Sequence, residues 1–274
     1  MMASAVILGS GQDGGSPQVG YRRAAGLDRS ASSIALFDDD GTVLLFDASP
    51  DIRLQYHRLA EHLDTEPTLD AVFVTHGHMG HYSGLLHFGM EAAATTSLAL
   101  FAPKTVTDFL GKNQPWASLL SGGHLVATPM ESAVATVGPF SVTAIPVPHR
   151  DEHTDTVAFS VEVEGRPWLL YLPDIDGWAA WRDAERVIAS HPVALLDATF
   201  SSATELPARD LDAIRHPLVP DTIERFSHLT SDHMIVLTHI NHSNPLGRPD
   251  APITKTATDQ GFFVAYDGLV IDHV

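Results

Sequence analysis

Residues 71–81 read Ala-Val-Phe-Val-Thr-His-Gly-His-Met-Gly-His, and this stretch decides the fold. Its first five residues are apolar or β-branched, which is typical of a buried strand. His76, His78 and His81 then follow in a tight turn. Residues two apart at a strand end can face the same side, so His76 and His78 can share one ion, while His81 enters from the first helical turn toward a neighbouring position. The spacing predicts a site for one or two metal ions, with histidines of a solvated loop as the alternative interpretation.

The composition restricts both the ligands and the partners of such a site. The chain has 274 residues, no cysteine and a formal net charge of -18. Without cysteine there is no disulfide or thiolate site, so a metal must be bound by imidazole and carboxylate groups. A strongly acidic exterior repels nucleic acid and anionic membranes. We therefore expect a small-molecule substrate.

The hydrophobic content, 44% of residues, is sufficient for a packed core. No linker-like run divides the chain, and residues 1–274 are predicted to form one domain. The first ten residues have no basic segment before their short apolar run, and no apolar window is long enough to span a bilayer. These features predict a cytoplasmic protein without membrane contact, and they leave a homodimer open.

Apolar, β-rich runs alternate with helix-like stretches in both halves of the chain. Strands are predicted at residues 5–8, 33–37, 42–46, 71–75, 98–101, 141–147, 156–163, 168–172, 193–196, 234–237, 262–266 and 269–271. Helices are predicted at residues 51–62, 104–110, 178–190 and 221–229. The sequences at residues 39–41 and 266–268 are typical of hairpin turns. Two similar halves favour sheets enclosed between helices, an α/β (α+β) arrangement.

The histidine stretch resembles a known family motif. Residues 75–81, Thr-His-x-His-x-Gly-His, followed by Gly84, are similar to the signature Thr-His-x-His-x-Asp-His of the metallo-β-lactamase superfamily. The resemblance implies a four-layer αββα sandwich with the metal site along one edge. It also implies that His76 and His78 bind one ion and that His81 contributes to a second.

The remaining ligands of that family each follow a strand, and this chain offers candidates in the same order. His149 follows the strand at residues 141–147, Asp174 the strand at residues 168–172, and His239 the strand at residues 234–237. His153 is the alternative to His149, and Asp176 is the alternative to Asp174, which also fits an ordinary turn composition. The resemblance thus implies six metal ligands, namely His76, His78, His81, His149, Asp174 and His239.

Gly80 is a departure from the family motif, because the aspartate at that position normally binds the second metal. Glycine offers no side chain, so the second ion would keep His81, His239 and the shared Asp174. The resemblance therefore predicts a weakened second site, and it predicts that Gly80→Asp raises metal loading.

Further segments resemble the branch of the superfamily that contains pyrroloquinoline quinone biosynthesis proteins. They lie at residues 8–18, 47–53, 149–159, 173–178, 195–200 and 239–245. Within that branch, the PqqB proteins carry a cysteine cluster after the N-terminal glycine-rich loop and usually lack the intact His-x-His pair. This chain has no cysteine and keeps the pair, so it resembles a PqqB-like metallo-hydrolase rather than the quinone-pathway protein itself.

The function that these residues predict is hydrolysis of a small, anionic ester, lactone or phosphodiester by metal-activated water. Zinc is the expected ion, and manganese or iron would suit the same ligands. Asp174 is the candidate base, and His242 is a second candidate catalytic residue. Arg150, His153 and His242 are candidates for substrate binding, although Arg150 can instead pair with a neighbouring carboxylate. The alternatives are an iron-dependent oxidative enzyme and a non-catalytic ligand-binding homologue.

Overall fold

Two facing β-sheets form the centre of the molecule. The computed structural model describes residues 2–21, 27–131, 133–206 and 214–273. Over these residues each sheet has seven strands. The first sheet has the order β14-β1-β2-β3-β4-β5-β6, with β1 (Ala3–Gly9), β2 (Ser33–Asp38), β3 (Val43–Phe46), β4 (Ala71–Phe73), β5 (Leu98–Ala102), β6 (Leu125–Pro129) and β14 (Val270–Asp272).

The second sheet has the order β13-β12-β11-β10-β9-β8-β7. Its strands are β7 (Val134–Val137), β8 (Phe140–Pro146), β9 (Val157–Val163), β10 (Arg166–Leu172), β11 (Val193–Asp197), β12 (Met234–Thr238) and β13 (Phe263–Val264). Strands β10 to β13 are parallel, and β8 runs in the same direction because β9 is antiparallel to both β8 and β10. The carboxyl ends of β8, β10, β11 and β12 therefore meet at one edge.

Helices cover the outer face of each sheet. They are α1 (Ile52–Leu63), α2 (Met79–Tyr82), α3 (Lys104–Lys112), α4 (Trp116–Ser121), α5 (Ala184–Ile188), α6 (Val219–Phe226) and α7 (Pro252–Asp259), with 3-10 turns at Ser83–Phe88, Trp178–Ala180 and Ser227–Leu229. Apolar residues of α1, α3 and α4 pack on the first sheet, and those of α5, α6 and α7 pack on the second. This is the predicted four-layer αββα sandwich.

Aromatic side chains join the two sheets across the central core. Phe46 and Phe73 of the first sheet stack with their ring centroids 4.8 Å apart. Phe159 of the second sheet meets each of them edge to face at 5.6 Å. Tyr171 joins this group with its ring 6.1 Å from Phe46. Such contacts fix how the two sheets face each other, and thus how their strand ends meet.

Two local predictions are wrong. The single helix at residues 178–190 is divided, because Trp181 adopts an extended conformation and buries its indole in the outer core between Trp178–Ala180 and α5. The turn at residues 266–268 is present but is not a hairpin, since β13 and β14 belong to different sheets. The Gly268 N–H donates to the Ile7 carbonyl, so this turn carries the chain across to β1.

The other elements either match the sequence-based prediction or were not predicted. The turn at residues 39–41 does join β2 to β3, with Gly41 at φ 88° in the left-handed region. The strands β6 and β7 and the helices α4 and α7 are not predicted from the sequence, because they are short or have a largely polar surface. Within the described residues, no helix has the length and apolar character needed to cross a membrane.

Phe159→Ala tests the aromatic contact between the sheets. Removing a fully buried phenylalanine leaves a cavity, so we expect the free energy of unfolding to fall by about 3–5 kcal/mol in urea denaturation. Phe263→Ala is the matched control, because that ring is 50% exposed and its loss should cost much less. Equal losses for the two variants would contradict this account of the core.

Candidate metal centre

The centre lies where strands of both sheets end. His76, His78 and His81 follow β4, and His149 follows β8. Asp174 and His239 follow β10 and β12, respectively. Parallel strands place their carboxyl ends at the same edge, which brings together residues that are far apart in sequence.

A first group of ligand atoms comprises nitrogens of His76, His78 and His149 and the Asp174 carboxylate. His76 Nε2 lies 2.8 Å from His78 Nδ1, and His149 Nε2 lies 3.3 Å from the same atom. Asp174 Oδ2 is 3.3 Å from His76 Nε2, and its Oδ1 is 3.2 Å from His149 Nε2. All four ligand atoms lie within 4.8 Å of one another, a spacing that one ion could bridge.

A second group comprises His81, His239 and Asp13, again with ligand atoms within 4.8 Å of one another. Asp174 Oδ2 lies 3.6 Å from His81 Nε2 and 3.5 Å from His239 Nε2. Asp174 therefore stands between the two groups, as the family resemblance implies. Asp13 comes from the N-terminal glycine-rich loop and was not among the predicted ligands.

The second nitrogen of each imidazole faces a polar group that fixes the orientation of the ring. In three of the rings that present Nε2 to the centre, Nδ1 is in hydrogen-bond contact with Thr75 Oγ1 for His76 at 3.0 Å, Asp47 Oδ2 for His81 at 2.8 Å and Thr199 Oγ1 for His239 at 2.9 Å. His149 Nδ1 lies 3.2 Å from Asp176 Oδ1 without hydrogen-bond geometry. Such outer contacts determine which nitrogen is free for a metal.

Two of these site residues adopt backbone conformations that L-residues rarely occupy. Asp47 has φ 59° and His239 has φ 58°. Left-handed backbone at residues other than glycine costs free energy and persists where the surroundings hold it. Asp47 is held by the Thr75 N–H and hydroxyl and by the Tyr171 hydroxyl, all donating to its carboxylate. The fold thus maintains a strained backbone at the centre.

The surroundings favour metal-binding protonation states at His76, His78 and Asp174. At His81, burial lowers the pKa, but the carboxylates of Asp47, Asp13 and Asp174 outweigh it and raise the pKa well above its ordinary value, so His81 must lose a proton to bind a metal. Burial lowers the pKa of His76 well below its ordinary value, and burial lowers the pKa of His78 to about 4. Burial opposes ionisation of Asp174, but the adjacent histidines His149, His239 and His216 outweigh it and hold the pKa of Asp174 well below its usual range. Neutral imidazole and ionised carboxylate are the forms that bind metals.

Several buried polar atoms at the centre lack a hydrogen-bond partner among the described residues. They are His81 Nε2, His239 Nε2, Asp13 Oδ1 and both Asp174 carboxylate oxygens. Leaving buried polar atoms unsatisfied is costly, and these atoms face one another across a short gap. Imidazole nitrogens opposed to carboxylate oxygens fit a divalent cation such as zinc.

His216 was missed by the sequence analysis. Its Nδ1 lies 2.8 Å from Asp197 Oδ2 and 3.2 Å from Asp174 Oδ1. Asp197 in addition accepts hydrogen bonds from the Ile175 N–H and the Thr199 hydroxyl. His216 follows no apolar strand, so the pattern that revealed the other histidines does not include it.

The three predicted substrate-binding residues do not share one location. Arg150 and His153 line a cavity of about 420 Å³ beside His78 that also includes Tyr82 and Phe109. His153 is exposed, with its ring centroid 6.2 Å from that of His78, and it belongs to neither ligand group. A larger cavity of about 820 Å³, beside α1, contains no residue of either ligand group.

His242 lies outside both ligand groups as well. Its ring packs against Tyr21 with centroids 4.2 Å apart, and its Nδ1 lies 3.0 Å from Asn241 Oδ1. A catalytic or substrate-binding role for His242 stays a prediction.

The fold and the site define a metallo-β-lactamase superfamily protein. The family model described as "Beta-lactamase superfamily domain" matches residues 42–240, and the chain belongs to this family. Its relatives include coenzyme PQQ synthesis protein B of Cupriavidus necator, which is 29% identical over 98% of this chain and 99% of its own length. The protein of the same name from Methylobacterium radiotolerans is 29% identical over 96% of this chain and 98% of its own.

Solved structures agree on the fold. Zn²⁺-bound PqqB from Methylobacterium extorquens superposes with a TM-score of 0.77 at 24% identity, covering 98% of this chain and all of that one. A diphosphatase of the PhnP family gives a TM-score of 0.73 at 20% identity, covering 100% and 98% of the two chains. The PqqB-like assignment from sequence is confirmed.

Asp47→Asn tests the outer contacts of the centre. The substitution keeps the side-chain volume but removes the charge that orients His81, so we expect zinc affinity to fall by about 10–100-fold. The measurement is a zinc titration against a competing chelator. Tyr171→Phe is the control, because it removes one hydrogen bond to Asp47 and leaves the contact with His81. Unchanged affinity in Asp47→Asn would refute this role.

Proposed function

We propose that this protein is a metal-dependent hydrolase of a small anionic ester, lactone or phosphodiester. The observation that carries the proposal is the convergence of buried, unpartnered imidazole nitrogens and carboxylate oxygens at one edge of the sandwich. Such a costly arrangement is expected where the atoms bind an ion. Membership of the superfamily supports a hydrolytic reaction.

His76, His78 and His149 would hold one ion, and His81 and His239 a second, with Asp174 shared between them. A bound divalent ion supplies a water of lowered pKa and polarises the electrophile. Zinc fits this set of imidazole and carboxylate ligands, and zinc is present in the PqqB structure. Manganese and iron fit the same ligands, so metal analysis must accompany the assay.

The chain's own groups would then position substrate and handle protons. The Asp174 carboxylate lies between both histidine groups, and we propose it as the base. His216 Nδ1 lies 3.2 Å from Asp174 Oδ1 and extends the polar network towards Asp197. His242 is proposed to contact substrate.

Arg150 is placed to bind an anionic substrate group. Its Nη2 lies 3.3 Å from His78 Nε2, and its Nη1 lies 3.6 Å from the partly exposed Glu152. If His78 binds a metal through Nδ1, its Nε2 carries the proton and cannot accept one from Arg150. The His78 Nε2–H can then donate to Glu152 Oε1, which lies 3.4 Å from His78 Nε2. The guanidinium then keeps N–H groups for a carboxylate or phosphate.

Metal removal tests the hydrolase proposal. We expect the protein to hydrolyse at least one member of a panel of esters, lactones and phosphodiesters, chelation to abolish turnover and zinc to restore it. His76→Ala should lower kcat/KM by more than about 100-fold, since even outer-shell losses cost 10–100-fold. His57→Ala is the control, because that side chain is 74% exposed. Turnover that survives chelation would contradict the proposal.

An iron-dependent oxidation is the second candidate, because the ligand set contains no thiolate and its imidazole and carboxylate groups suit iron(II). Anaerobic loading with iron followed by exposure to oxygen separates the two functions. Metal-dependent hydrolysis without oxygen consumption supports the hydrolase, and substrate-dependent oxygen consumption by the iron form supports the oxidative enzyme.

Arg150→Ala tests the preference for an anion. Losing a hydrogen bond to a charged group costs about 1.5–3 kcal/mol, so KM for an anionic substrate should rise by roughly 10-fold or more while kcat changes little. A neutral ester of similar size should be unaffected. Glu152→Gln serves as the control that removes the arginine's carboxylate partner. An equal rise in KM for the neutral ester would assign Arg150 a structural role.

A further inference from the structure

The space beside Gly80 is filled by Asp13. A Cβ atom added at Gly80 would lie 2.2 Å from Asp13 Oδ1 and 2.6 Å from Asp13 Cα. Contacts this short do not occur between real side chains, so a larger residue at position 80 requires the N-terminal loop to move. The place that the motif's aspartate side chain would enter already contains a carboxylate from another part of the chain.

The Asp13 carboxylate is oriented towards the second histidine group. Gln12 Nε2 donates a hydrogen bond to Oδ2 at 2.9 Å, which holds one oxygen. The other oxygen, Oδ1, is buried without a hydrogen-bond partner among the described residues and lies 3.3 Å from His81 Nε2. His81 and His239 are both fully buried, and their Nε2 atoms lack partners in the same part of the structure. These atoms form a complete ligand group.

Backbone hydrogen bonds fix the loop that carries Asp13 to the strand end that carries His239. The Gln12 N–H donates to the Ile240 carbonyl at 3.0 Å, and the Ile240 N–H donates to the Ser10 carbonyl at 2.9 Å. Ile240 follows His239 directly. The Gly15 N–H closes a turn on the Gln12 carbonyl, with Gly15 at φ 63°. Asp13 is therefore pre-organised, as a metal ligand should be.

We infer that Asp13 is a ligand of the second metal ion and supplies the carboxylate that the family motif carries at position 80. The inference rests on the proposed metal-dependent function and concerns which residues build the second site. Asp13 and Gly80 form an exclusive pair, because a side chain at position 80 and the carboxylate of Asp13 compete for the same space. With Asp13 as a ligand, the second site has its carboxylate. The lack of a side chain at Gly80 then does not weaken metal binding at that site.

Zinc titrations of the whole chain test this inference without any activity measurement. We expect the wild-type protein to bind two zinc ions tightly. Asp13→Ala should retain the first ion and lower affinity for the second by at least about 10–100-fold, the loss typical even of outer-shell partners. Asp13→Asn keeps the side-chain shape and should lose affinity for the same ion. Asp151→Asn, an exposed charge removal near the centre, should bind two ions as the wild type does.

The swap of the two positions provides the sharper test. Gly80→Asp alone should clash with Asp13, lower the melting temperature and fail to improve binding, in contrast to the sequence-based expectation of higher loading. Combining Asp13→Ala with Gly80→Asp removes the 2.2 Å contact with the Asp13 carboxylate and leaves the 2.6 Å contact with Asp13 Cα, which a small shift of the N-terminal loop must relieve. The double variant restores one carboxylate, so the second ion should return. Circular dichroism of each variant confirms that a lost ion reflects a lost ligand and not an unfolded chain.

The outcomes separate this inference from the proposed function. Two ions of unchanged affinity in both Asp13 variants would overturn the inference, as would a double variant that keeps the wild-type melting temperature and still binds no better than Asp13→Ala. If the wild-type protein binds one zinc ion and His76→Ala loses that ion, the role of Asp13 is overturned and the hydrolase proposal stays intact. A wild type that binds no zinc, manganese or iron would overturn both.

Discussion

The buried carboxylate of Asp174 is the constraint on which the rest of the centre depends. Its oxygens lie 3.2–3.6 Å from nitrogens of His76, His81, His149, His216 and His239. A buried negative charge is costly unless positive charge and hydrogen-bond donors surround it. The five histidines come from strand ends and loops across the chain, so the αββα architecture is needed to bring them to one carboxylate.

The same constraint explains the outer contacts and the local strain. Each imidazole must present a particular nitrogen to the centre, and in His76, His81 and His239 the other nitrogen is held by a buried hydroxyl or carboxylate. The left-handed backbone of Asp47 and His239 is the cost of placing those groups at the ends of β3 and β12. Asp13 of the N-terminal loop is a further case, because its carboxylate reaches the centre from a position that the family motif does not use.

The sequence predicted the strands that end in ligands because apolar runs followed at once by histidine or aspartate are a local pattern. His76, His78, His149 and Asp174 meet as that pattern and the family resemblance implied. Asp13 could not be predicted in this way, since its role depends on contact with Gly80, 67 positions away. Gly80 taken alone suggests a lost ligand. In the structure, the Asp13 carboxylate of the N-terminal loop lies beside Gly80.

The positions of His216 and of the turn at residues 266–268 also could not be predicted from a local sequence pattern. No strand or motif marks His216, which lies beside Asp174 and two residues before Leu218, where the chain forms an isolated β-bridge with Phe200. The turn was recognised from its composition, but composition does not reveal which sheet the chain enters next. The helix predicted at residues 178–190 was interrupted because burying Trp181 took precedence over local helical periodicity.

The most direct test is anomalous diffraction at the zinc edge from crystals of the zinc-loaded wild-type protein. Our account predicts two peaks, one bounded by His76 Nε2, His78 Nδ1 and His149 Nε2, and one bounded by His81 Nε2, His239 Nε2 and an oxygen of Asp13, with Asp174 between them. A single peak, or a second peak with the Asp13 carboxylate turned away from it, would contradict that account.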